Sequence, residues 1–350
     1  MNPIISVVIP CLNERSTIAL AVKDAQKYAD RFFPHRHEII VADNGSTDGT
    51  LLILKKLRSV RVVHVPVRGY GAALHWGIIK ARGKFVLFAD ADLSYPFSNL
   101  KYFSPLIDQN PDLALGSRLK GRIQPGAMPP LHRYLGTPVL TWLIRLVYKI
   151  PTTDCNSGMR LVNRRFYQKL DVRSSGMEWA SELLLKTAIK GGKYLETPIR
   201  FLKDKRPRPP HLSTWSDGWR HLKTIILLKP NSLFVFFAVF VILAYLNYPT
   251  SFTYTSFFLL LALVVALSYS ALRFLEFALE KRHNPISLTL NSNMLVPWVI
   301  TFTFIIGGLI TIVPDDHLGT KLLLIATNML LFIWVFLIET IKTHLVNRLP

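Results

Sequence analysis

Cysteine is almost absent from this sequence, since Cys11 and Cys155 are the two among 350 residues. Two cysteines this far apart exclude a disulfide framework and a cysteine-based metal site, and we interpret both as buried thiols. The first residues also lack a basic stretch followed by an apolar one, so we expect no cleavable signal peptide. A first domain without such a leader is expected to stay in the cytoplasm.

Acidic residues are scarce, with 22 Asp and Glu against 42 Lys and Arg. Of these, 17 acidic and 36 basic residues lie within residues 1–231, which therefore carry a net charge of +19. A domain this basic favours an anionic partner, which is a nucleic acid, a phosphorylated substrate or an acidic membrane surface. The apolar remainder of the chain favours the last two and argues against nucleic acid.

Charge is nearly missing from four long apolar segments after Asn231. They cover about residues 232–246, 255–275, 295–313 and 322–341. Most are about as long as a helix must be to cross a bilayer. The sequence therefore predicts a transmembrane domain of four helices in residues 231–350, joined to a catalytic domain in residues 1–230.

The basic residues between and after these segments predict their orientation. Arg273 lies at the end of the second segment, Lys281 and Arg282 follow it, and Lys342 and Arg348 follow the fourth. Because basic loops stay on the cytoplasmic side, both termini and the catalytic domain are expected in the cytoplasm.

Strand and helix patterns alternate in the first domain, which predicts an α/β fold with a parallel sheet. The strand patterns cover residues 4–9, 38–42, 60–65 and 84–88, and Pro10 is expected to end the first strand. The helical patterns begin near residues 16, 50 and 72, and the first has apolar residues at near-helical spacing, namely Ile18, Val22, Ala25 and Ala29. Ligands of such sheets bind beyond the carboxyl ends of the strands. Asn13, Glu14, Asp43 and Asp90 are all predicted at such ends.

Two carboxylates, Asp90 and Asp92, come directly after an apolar run of strand length. If the strand geometry continued, both side chains would point to the same side and repel each other. A hard cation such as Mg²⁺ or Mn²⁺ takes one or two carboxylates and completes its shell with water and substrate phosphates. The pair thus suggests a site for a nucleotide diphosphate and its metal ion. A polar turn at the end of a strand is the alternative.

Gly69 and Gly71 precede the third helical pattern. Glycine lets a backbone approach a ligand closely, and a helix start offers free N–H groups to an anion. This arrangement differs from the glycine-rich fingerprint of dinucleotide-binding enzymes.

Four motifs together carry a resemblance to a known family. They are VVIPCLNE (7–14), ADNGSTDGT (42–50), GYGAAL (69–74) and DADLS (90–94). In this order and spacing the chain resembles the inverting glycosyltransferases of family 2. The resemblance extends over residues 4 to about 230. It implies a GT-A fold, which is a Rossmann-like domain with a mostly parallel sheet.

Further motifs resemble one subgroup, the polyprenyl-phosphate hexose synthases, which include the dolichyl-phosphate mannose and glucose synthases. They include SRLKG (117–121), PGAMPPLHRYLG (125–136) and DCNSGMRL (154–161). The subgroup implies transfer of a hexose from a nucleotide-sugar to undecaprenyl or dolichyl phosphate with Mg²⁺ or Mn²⁺. It favours UDP-glucose over GDP-mannose as the donor. The resemblance leaves open whether the protein forms a homo-oligomer.

The resemblance also implies roles for residues on the donor side. Pro10, Asn13, Glu14 and Asp43 would surround the nucleoside, and Asp90 and Asp92 would hold the metal and the diphosphate. Many relatives have Gln where this chain has Ser94, which leaves a third metal ligand open. An Asx turn is the alternative role for Asp43, and helix capping is the alternative for Glu14. Arg206 lies in a basic, proline-rich segment that would close over the nucleotide or rest on acidic headgroups.

On the acceptor side, Arg118 and Arg133 align with positions that bind the acceptor phosphate, which suits the fork of a guanidinium group. Arg133 could instead anchor the protein at a membrane surface. Asp154 and Arg160 lie in the block that resembles the acceptor loop. Because a phosphate monoester is already ionised at neutral pH, we interpret Asp154 as an organiser of Arg118 or Arg160 rather than as a general base.

Two helical segments, about residues 134–150 and 213–229, are expected to lie at the membrane interface. Glu178 and Glu182 lie four residues apart on one helix face, where they would support the site or be solvated charges. His132, His211 and His221 lack metal-ligand spacing and are expected to lie at an interface or to form hydrogen bonds.

Two other functions are alternatives to hexose transfer to a lipid. A polysaccharide synthase would resemble its relatives in a Gln-x-x-Arg-Trp motif, which this chain lacks. Four spans would also form a poor glycan channel. A catalytically silent scaffold that binds nucleotide-sugars is opposed by the intact Asp-x-Asp pair.

Overall fold

The structure, a computed structural model, describes residues 3–57, 59–206, 218, 220–222, 224–225 and 228. The chain divides into two units with a boundary between Lys229 and Pro230, and the described residues all belong to the first unit. None of the helices described is both long enough and apolar enough to cross a membrane. The four predicted membrane segments lie outside the described residues, as does most of the predicted interfacial helix at residues 213–229.

Strands and helices alternate along the described part of the chain. The strands are β1 (Ile5–Cys11), β2 (His37–Asp43), β3 (Val60–His64), β4 (Phe85–Phe88), β5 (Leu113–Ile123), β6 (Arg160–Asn163) and β7 (Tyr194–Phe201). The α-helices are α1 (Ile18–Phe32), α2 (Thr50–Lys55), α3 (Tyr70–Lys80), α4 (Leu100–Ile107), α5 (Thr137–Tyr148), α6 (Arg164–Leu170) and α7 (Trp179–Ile189). A 3₁₀ turn (Phe97–Asn99) leads into α4, and a π-helical turn (His132–Gly136) leads into α5.

The strands form one mixed sheet in the order β3-β2-β1-β4-β6-β5-β7. β1 pairs in parallel with β2 and β4, and β2 pairs in parallel with β3, which confirms the mostly parallel sheet. β6 is antiparallel to both of its neighbours, β4 and β5, and this reversal was not predicted. Because β6 runs backwards, its first residue, Arg160, pairs with Phe88 at the carboxyl end of β4.

Pro10 lies inside β1 rather than beyond its end, which corrects the expectation that the proline terminates the strand. It pairs in register with Ala42 of β2. β4 pairs only with Ile5–Val8, and the carbonyl of Val8 accepts from the Ala89 N–H on that side. Since backbone groups alternate sides along a strand, the N–H that proline lacks would face the side where β4 has already ended, so no ladder hydrogen bond is lost.

Helices cover both faces of the sheet. α1 packs on one face of the sheet through its predicted apolar residues, Ile18, Val22, Ala25 and Ala29, all of them buried. α3 lies on the other face, where a Cβ on Gly77 would come within 2.4 Å of a Val8 methyl carbon. β1 is buried along its whole length because both of its faces are covered. This three-layer core holds the carboxyl ends of β1, β2 and β4 at one edge.

The two cysteines are buried thiols, as expected. Burial raises the pKa of Cys11 and of Cys155 to about 12, so both stay protonated at neutral pH.

Candidate active site

The predicted donor-side residues meet at the carboxyl edge of the sheet. Cys11 pairs with Asp43 at the ends of β1 and β2, and β4 ends beside β1 at Phe88. Asp43 is the last residue of β2, Asn13 and Glu14 lie in the loop after β1, and Asp90 and Asp92 lie in the loop after β4. The expectation that these residues share one edge is therefore confirmed.

The side chains of Asn13 and Asp43 form the loop after β2. Asn13 has a left-handed backbone (φ 57°), and its side-chain oxygen accepts from the Thr47 N–H at 2.8 Å. The buried Asp43 carboxylate accepts from the N–H groups of Gly45 and Ser46 at 3.2 Å each. The turn that was the alternative role for Asp43 is therefore present. It orders the loop where the resemblance places the nucleoside.

Asp90 is enclosed between α3 and the loop before β6. The Tyr70 hydroxyl donates to Asp90 Oδ1 at 2.9 Å, and a Cβ on Gly158 would lie 2.9 Å from Asp90 Oδ2. Burial raises the pKa of Asp90 to about 7, and the neighbouring charge of Asp92 adds to the shift. Ionisation of the Asp90 carboxyl group is therefore unfavourable unless a cation lies near it.

Asp92 is fixed by a tight turn. Leu93 adopts a left-handed backbone (φ 65°), which is unusual for a residue with a bulky side chain. The turn brings the Ser94 N–H to Asp92 Oδ1 at 2.9 Å. Burial also raises the pKa of Asp92. Strain of this kind is found where a side chain must be held in place for function.

Arg206 lies in the same cluster of carboxylates. Its Nη2 donates to Asp92 Oδ2 at 3.0 Å and its Nη1 donates to Glu14 Oε1 at 3.2 Å. Its Nε donates to Asp204 at 2.8 Å. The structure therefore places the predicted donor-side residues Glu14, Asp92 and Arg206 in direct contact, although 192 residues separate the first from the last.

Asp90 and Asp92 fit a divalent cation that is bound together with a diphosphate. Among the residues that the structure describes, no three His, Cys, Asp or Glu side chains are grouped to hold a metal ion by themselves. Mg²⁺ needs only one or two carboxylates when water and substrate phosphates complete its shell. A cation would also relieve the charge that raises the pKa of Asp90. The backbone N–H of Ser94 is used in the turn and its carbonyl accepts from Leu202 N–H, so Ser94 acts through its backbone.

Arg118 and Asp154 form a buried ion pair on the acceptor side. The two oxygens of Asp154 accept from Arg118 Nε and Nη2 at 2.7 Å each, and Asp154 Oδ2 also accepts from the Arg118 backbone N–H at 3.0 Å. The guanidinium lies 5.2 Å from the centre of the Phe201 ring. The interpretation of Asp154 as an organiser of Arg118 agrees with this geometry, because both carboxylate oxygens are already used.

Arg160, which lies in the block that resembles the acceptor loop, has its side chain inside the protein. It is fully buried, and its guanidinium donates to three backbone carbonyls, those of Ser157, Ala180 and Cys155. Burial lowers its pKa. Arg160 therefore ties the loop of residues 154–158 to α7, and its effect on the site is indirect.

Arg133 lies in the π-helical turn and is partly exposed, with its guanidinium 5.4 Å from the centre of the Tyr134 ring. Burial lowers the pKa of the adjacent His132, and the positive charge of Arg118 contributes to the shift. Both roles given for Arg133, phosphate binding and membrane anchoring, stay predictions.

Gly69 and Gly71 serve packing within the protein, which differs from the expected approach to a ligand. A Cβ on Gly69 (φ +143°) would lie 2.1 Å from the Ser175 carbonyl oxygen. A Cβ on Gly71 would lie 2.5 Å from Cβ of Trp179. The two glycines therefore let residues 174–179 pack directly on the start of α3, and the Ala72 N–H donates to the Ser175 carbonyl at 3.1 Å.

Glu178 and Glu182 are both buried, so the interpretation as solvated charges is wrong. Glu182 accepts from the N–H groups of Arg173 and Ser174 and pairs with Lys186, so it orders the loop before α7. Glu178 Oε1 accepts from the Gly176 N–H at 3.3 Å. The other oxygen of Glu178 is buried without a hydrogen-bond partner among the described residues.

Sequence reasoning missed Tyr70, Tyr95 and Gly158. Tyr70 holds Asp90, and the Tyr95 hydroxyl accepts from the Gly158 N–H at 2.8 Å. Gly158 in turn lies against Asp90. The only available signal was position, since Tyr70 lies between two glycines and Tyr95 follows the Asp-x-Asp turn. His221, expected to form a hydrogen bond, does so with the Ser181 hydroxyl at 2.7 Å.

Comparison with known proteins identifies relatives of this site and fold. The sequence model of glycosyl transferase family 2 matches residues 6–171. The chain is 35% identical over 240 residues to the low-salt glycan biosynthesis hexosyltransferase Agl6 of Haloferax volcanii, a match that covers 66% of this chain and 55% of the relative. The chain therefore spans about half the length of that relative.

A second relative is a dolichyl-phosphate hexose transferase of Haloferax volcanii, 28% identical over 198 residues. That match covers 56% of this chain and 82% of the relative. Among solved structures, glucosyl-3-phosphoglycerate synthase of Mycobacterium tuberculosis, in complex with Mn²⁺, UDP-glucose and phosphoglyceric acid, is similar in fold. The TM-score is 0.50 at 22% identity, over 64% of this chain and 79% of that one.

Proposed function

The chain belongs to glycosyl transferase family 2, and we propose that it transfers a hexose from a nucleotide-sugar to the phosphate of a polyprenyl phosphate. The relatives named as a hexosyltransferase and as a dolichyl-phosphate hexose transferase support a hexose and a lipid phosphate. UDP-glucose is the proposed donor and GDP-mannose the next choice. Both rest on the resemblance of the acceptor-side motifs alone.

The observation that carries the proposal is one loop that touches both halves of the site. Residues 154–158 begin at Asp154, which holds the guanidinium of Arg118. They end at Gly158, which lies against Asp90 and donates to Tyr95. The two ends of one short loop therefore contact a guanidinium suited to a phosphate and a carboxylate pair suited to a metal diphosphate.

This arrangement suits direct displacement at the anomeric carbon of the donor. An oxygen of the acceptor phosphate forms the new bond as the bond to the diphosphate breaks, and the electron pair leaves with the nucleoside diphosphate. The phosphate is already ionised near neutral pH, so no proton has to be removed from it. The task of the protein is to position two anions, for which Arg118 is held rigidly by Asp154.

The metal ion proposed for this site is Mg²⁺ or Mn²⁺, held by Asp90 and Asp92. A bound divalent ion would neutralise charge on the departing diphosphate. A solved structure of similar fold contains Mn²⁺ and UDP-glucose, which is consistent with divalent metal use.

A membrane surface is part of the proposal, and the outer face of α5 and the preceding turn supports it. Five apolar side chains at helical spacing are each more than two-fifths exposed: Leu131, Leu135, Val139, Trp142 and Leu146. We name this set the apolar stripe. An exposed stripe of this size marks an interaction surface. The exposed basic residues Arg145 and Lys149 beside it suit the headgroups of an acidic bilayer.

We place the first unit on the cytoplasmic side of that membrane, with both termini on the same side. The basic loops between the apolar segments and the net positive charge of residues 1–231 support this placement.

The proposed reaction is tested with the full chain in detergent. UDP-glucose and GDP-mannose, each labelled in the sugar, are incubated with dolichyl or undecaprenyl phosphate and Mn²⁺, and label is counted in the lipid phase. We expect transfer from one of the two donors. The rate of transfer should fall by about a hundredfold or more in Asp92→Asn, because this substitution removes a charge that organises the reacting diphosphate.

Asp108→Asn is the matched control, because Asp108 is exposed at the end of α4, and its rate should equal that of the unmodified chain. Label that enters a polymer instead of the lipid phase would contradict the proposal that a lipid phosphate is the acceptor. An unchanged rate in Asp92→Asn would overturn the assignment of the carboxylate pair.

A further inference from the structure

A short strap of residues, 202–206, crosses the turn that carries the paired carboxylates. It leaves β7 at Phe201, and its Leu202 N–H donates to the Ser94 carbonyl at 2.8 Å. Farther along, the Lys205 N–H donates to the Asp92 carbonyl at 3.1 Å. The strap is therefore attached by its backbone to the two residues that flank Leu93.

The strap ends by placing one positive charge among three carboxylates. The side chain of Arg206 is 12% exposed and contacts Glu14 at 3.2 Å and Asp92 at 3.0 Å. Asp204 of the strap itself completes the set. Glu14 follows β1 and Asp92 follows β4, so the guanidinium joins two strand ends and the strap.

The guanidinium of Arg206 lies on the carboxylate of Asp92, which is one of the two proposed metal ligands. Asp92 Oδ2 accepts from Arg206, and Asp92 Oδ1 accepts from the Ser94 N–H. Both oxygens of Asp92 are therefore engaged before any ligand binds. A guanidinium and a divalent ion repel each other, so they compete for the Asp92 carboxylate.

We propose that Arg206 is an internal counter-cation of the carboxylate pair, which a divalent cation must displace from Asp92 before it binds there. The displaced guanidinium then binds the diphosphate of the donor. Metal and nucleotide therefore bind cooperatively, and together they release the strap from Asp92. This rests on the proposed function for the diphosphate, whereas the competition between Arg206 and the metal does not depend on it. Without nucleotide, Arg206 keeps the metal affinity low.

The test measures Mn²⁺ binding to the full chain in detergent, from the electron paramagnetic resonance signal of free Mn²⁺, with and without UDP. Without UDP, Arg206→Ala should bind Mn²⁺ about tenfold more tightly than the unmodified chain, which is the scale on which one neighbouring unit charge acts on a carboxylate. UDP should tighten Mn²⁺ binding in the unmodified chain and do so less in Arg206→Ala.

Lys205→Ala is the matched control, because it removes one exposed positive charge from the same strap, and its Mn²⁺ affinity should stay near that of the unmodified chain. Arg206→Lys, which keeps the charge but loses the fork, should fall between the unmodified chain and Arg206→Ala. It also decides the question if Arg206→Ala fails to fold.

Equal or weaker Mn²⁺ binding in the Arg206 variants would overturn the inference, since Arg206 would then support the carboxylates rather than compete for them. The proposed function can fail separately. An unmodified chain that binds Mn²⁺ but transfers no hexose to lipid would refute the reaction and leave the competition intact.

Discussion

Asp90 and Asp92 are separated by one alanine but have different neighbours. Asp90 accepts from the Tyr70 hydroxyl, whereas Asp92 is paired with Arg206. The uncompensated charge is therefore concentrated on Asp90, whose pKa rises from 3.8 to about 7 because of burial and the charge of Asp92. The two carboxylates are chemically unequal although the sequence presents them as a pair.

This inequality predicts how stability depends on pH. Between about pH 4 and 7 the folded chain holds a proton on Asp90 that the unfolded chain has lost, so this group makes the metal-free protein less stable as pH rises. A divalent cation offsets that loss. We therefore expect Mn²⁺ to raise the melting temperature of the full chain more at pH 8 than at pH 6, measured by thermal-shift fluorimetry.

In Asp90→Asn the titrating group is gone, so the difference between the two pH values should shrink. If Mn²⁺ produced equal shifts at both pH values in the unmodified chain, the raised pKa of Asp90 would have no part in metal binding.

At the residue scale, the sequence predicted which side chains reach the edge but not all of their partners. Asp154 was expected to organise Arg118 or Arg160, and it pairs with Arg118. The segment of Arg206 was expected either over the nucleotide or on acidic headgroups, whereas the contact of Arg206 with Asp92 bridges 114 residues and depends on where β7 ends. Such contacts follow from tertiary packing, which a local pattern does not specify.

At the element scale, the start of α3 depends on close packing against α7. A Cβ on Gly71 would lie 2.5 Å from Cβ of Trp179 and 2.7 Å from the Ser174 carbonyl oxygen, which are not the ends of flexible side chains. Gly71→Ala would therefore push α7 away from α3. Tyr70, which holds Asp90, lies in the same turn.

We expect Gly71→Ala to lower the free energy of unfolding by about 1–3 kcal/mol, the usual cost of overpacking, and to reduce hexose transfer. Thermal melting and the lipid-phase assay measure the two effects. Gly136→Ala is the control, because a Cβ there meets only the Leu131 carbonyl oxygen at 3.6 Å, so its melting temperature should not fall. If Gly71→Ala were as stable as the unmodified chain, α7 would be able to move away from α3 without lowering the free energy of unfolding.

The elements themselves were largely predictable, since α1 buries the apolar residues predicted at its inner face and the first strands end where polar motifs begin. The reversal of β6 was not, because a strand of four residues carries no signal of its direction. The helix expected at residues 134–150 exists as α5, but it begins with a π-helical turn at His132.

At the scale of the whole molecule, the apolar stripe predicts which side of the first unit faces lipid. Trp142 is 59% exposed on the stripe, and Leu52 is 65% exposed on α2. Both native cysteines are buried, so a cysteine introduced at either position can be labelled selectively. These two positions give a matched pair of probes.

In nanodiscs with acidic lipid, we expect a polarity-sensitive dye on Trp142→Cys to emit at shorter wavelength than the same dye on Leu52→Cys. Brominated lipids should quench the first dye and leave the second unaffected, because only the stripe enters the headgroup region. Equal emission and equal quenching at the two positions would place the stripe in water and refute its contact with the membrane.

The backward course of β6 has a consequence for how this enzyme can change over evolution. In a fully parallel sheet the chain that enters a strand lies at the far edge, away from ligands, but here the entry to β6 lies at the reactive edge beside Phe88. The connection that leads into β6 therefore contacts Arg118 at one end and lies against Asp90 at the other. If the proposed function is right, one substitution in this connection would change the fit of the sugar donor and of the lipid acceptor together.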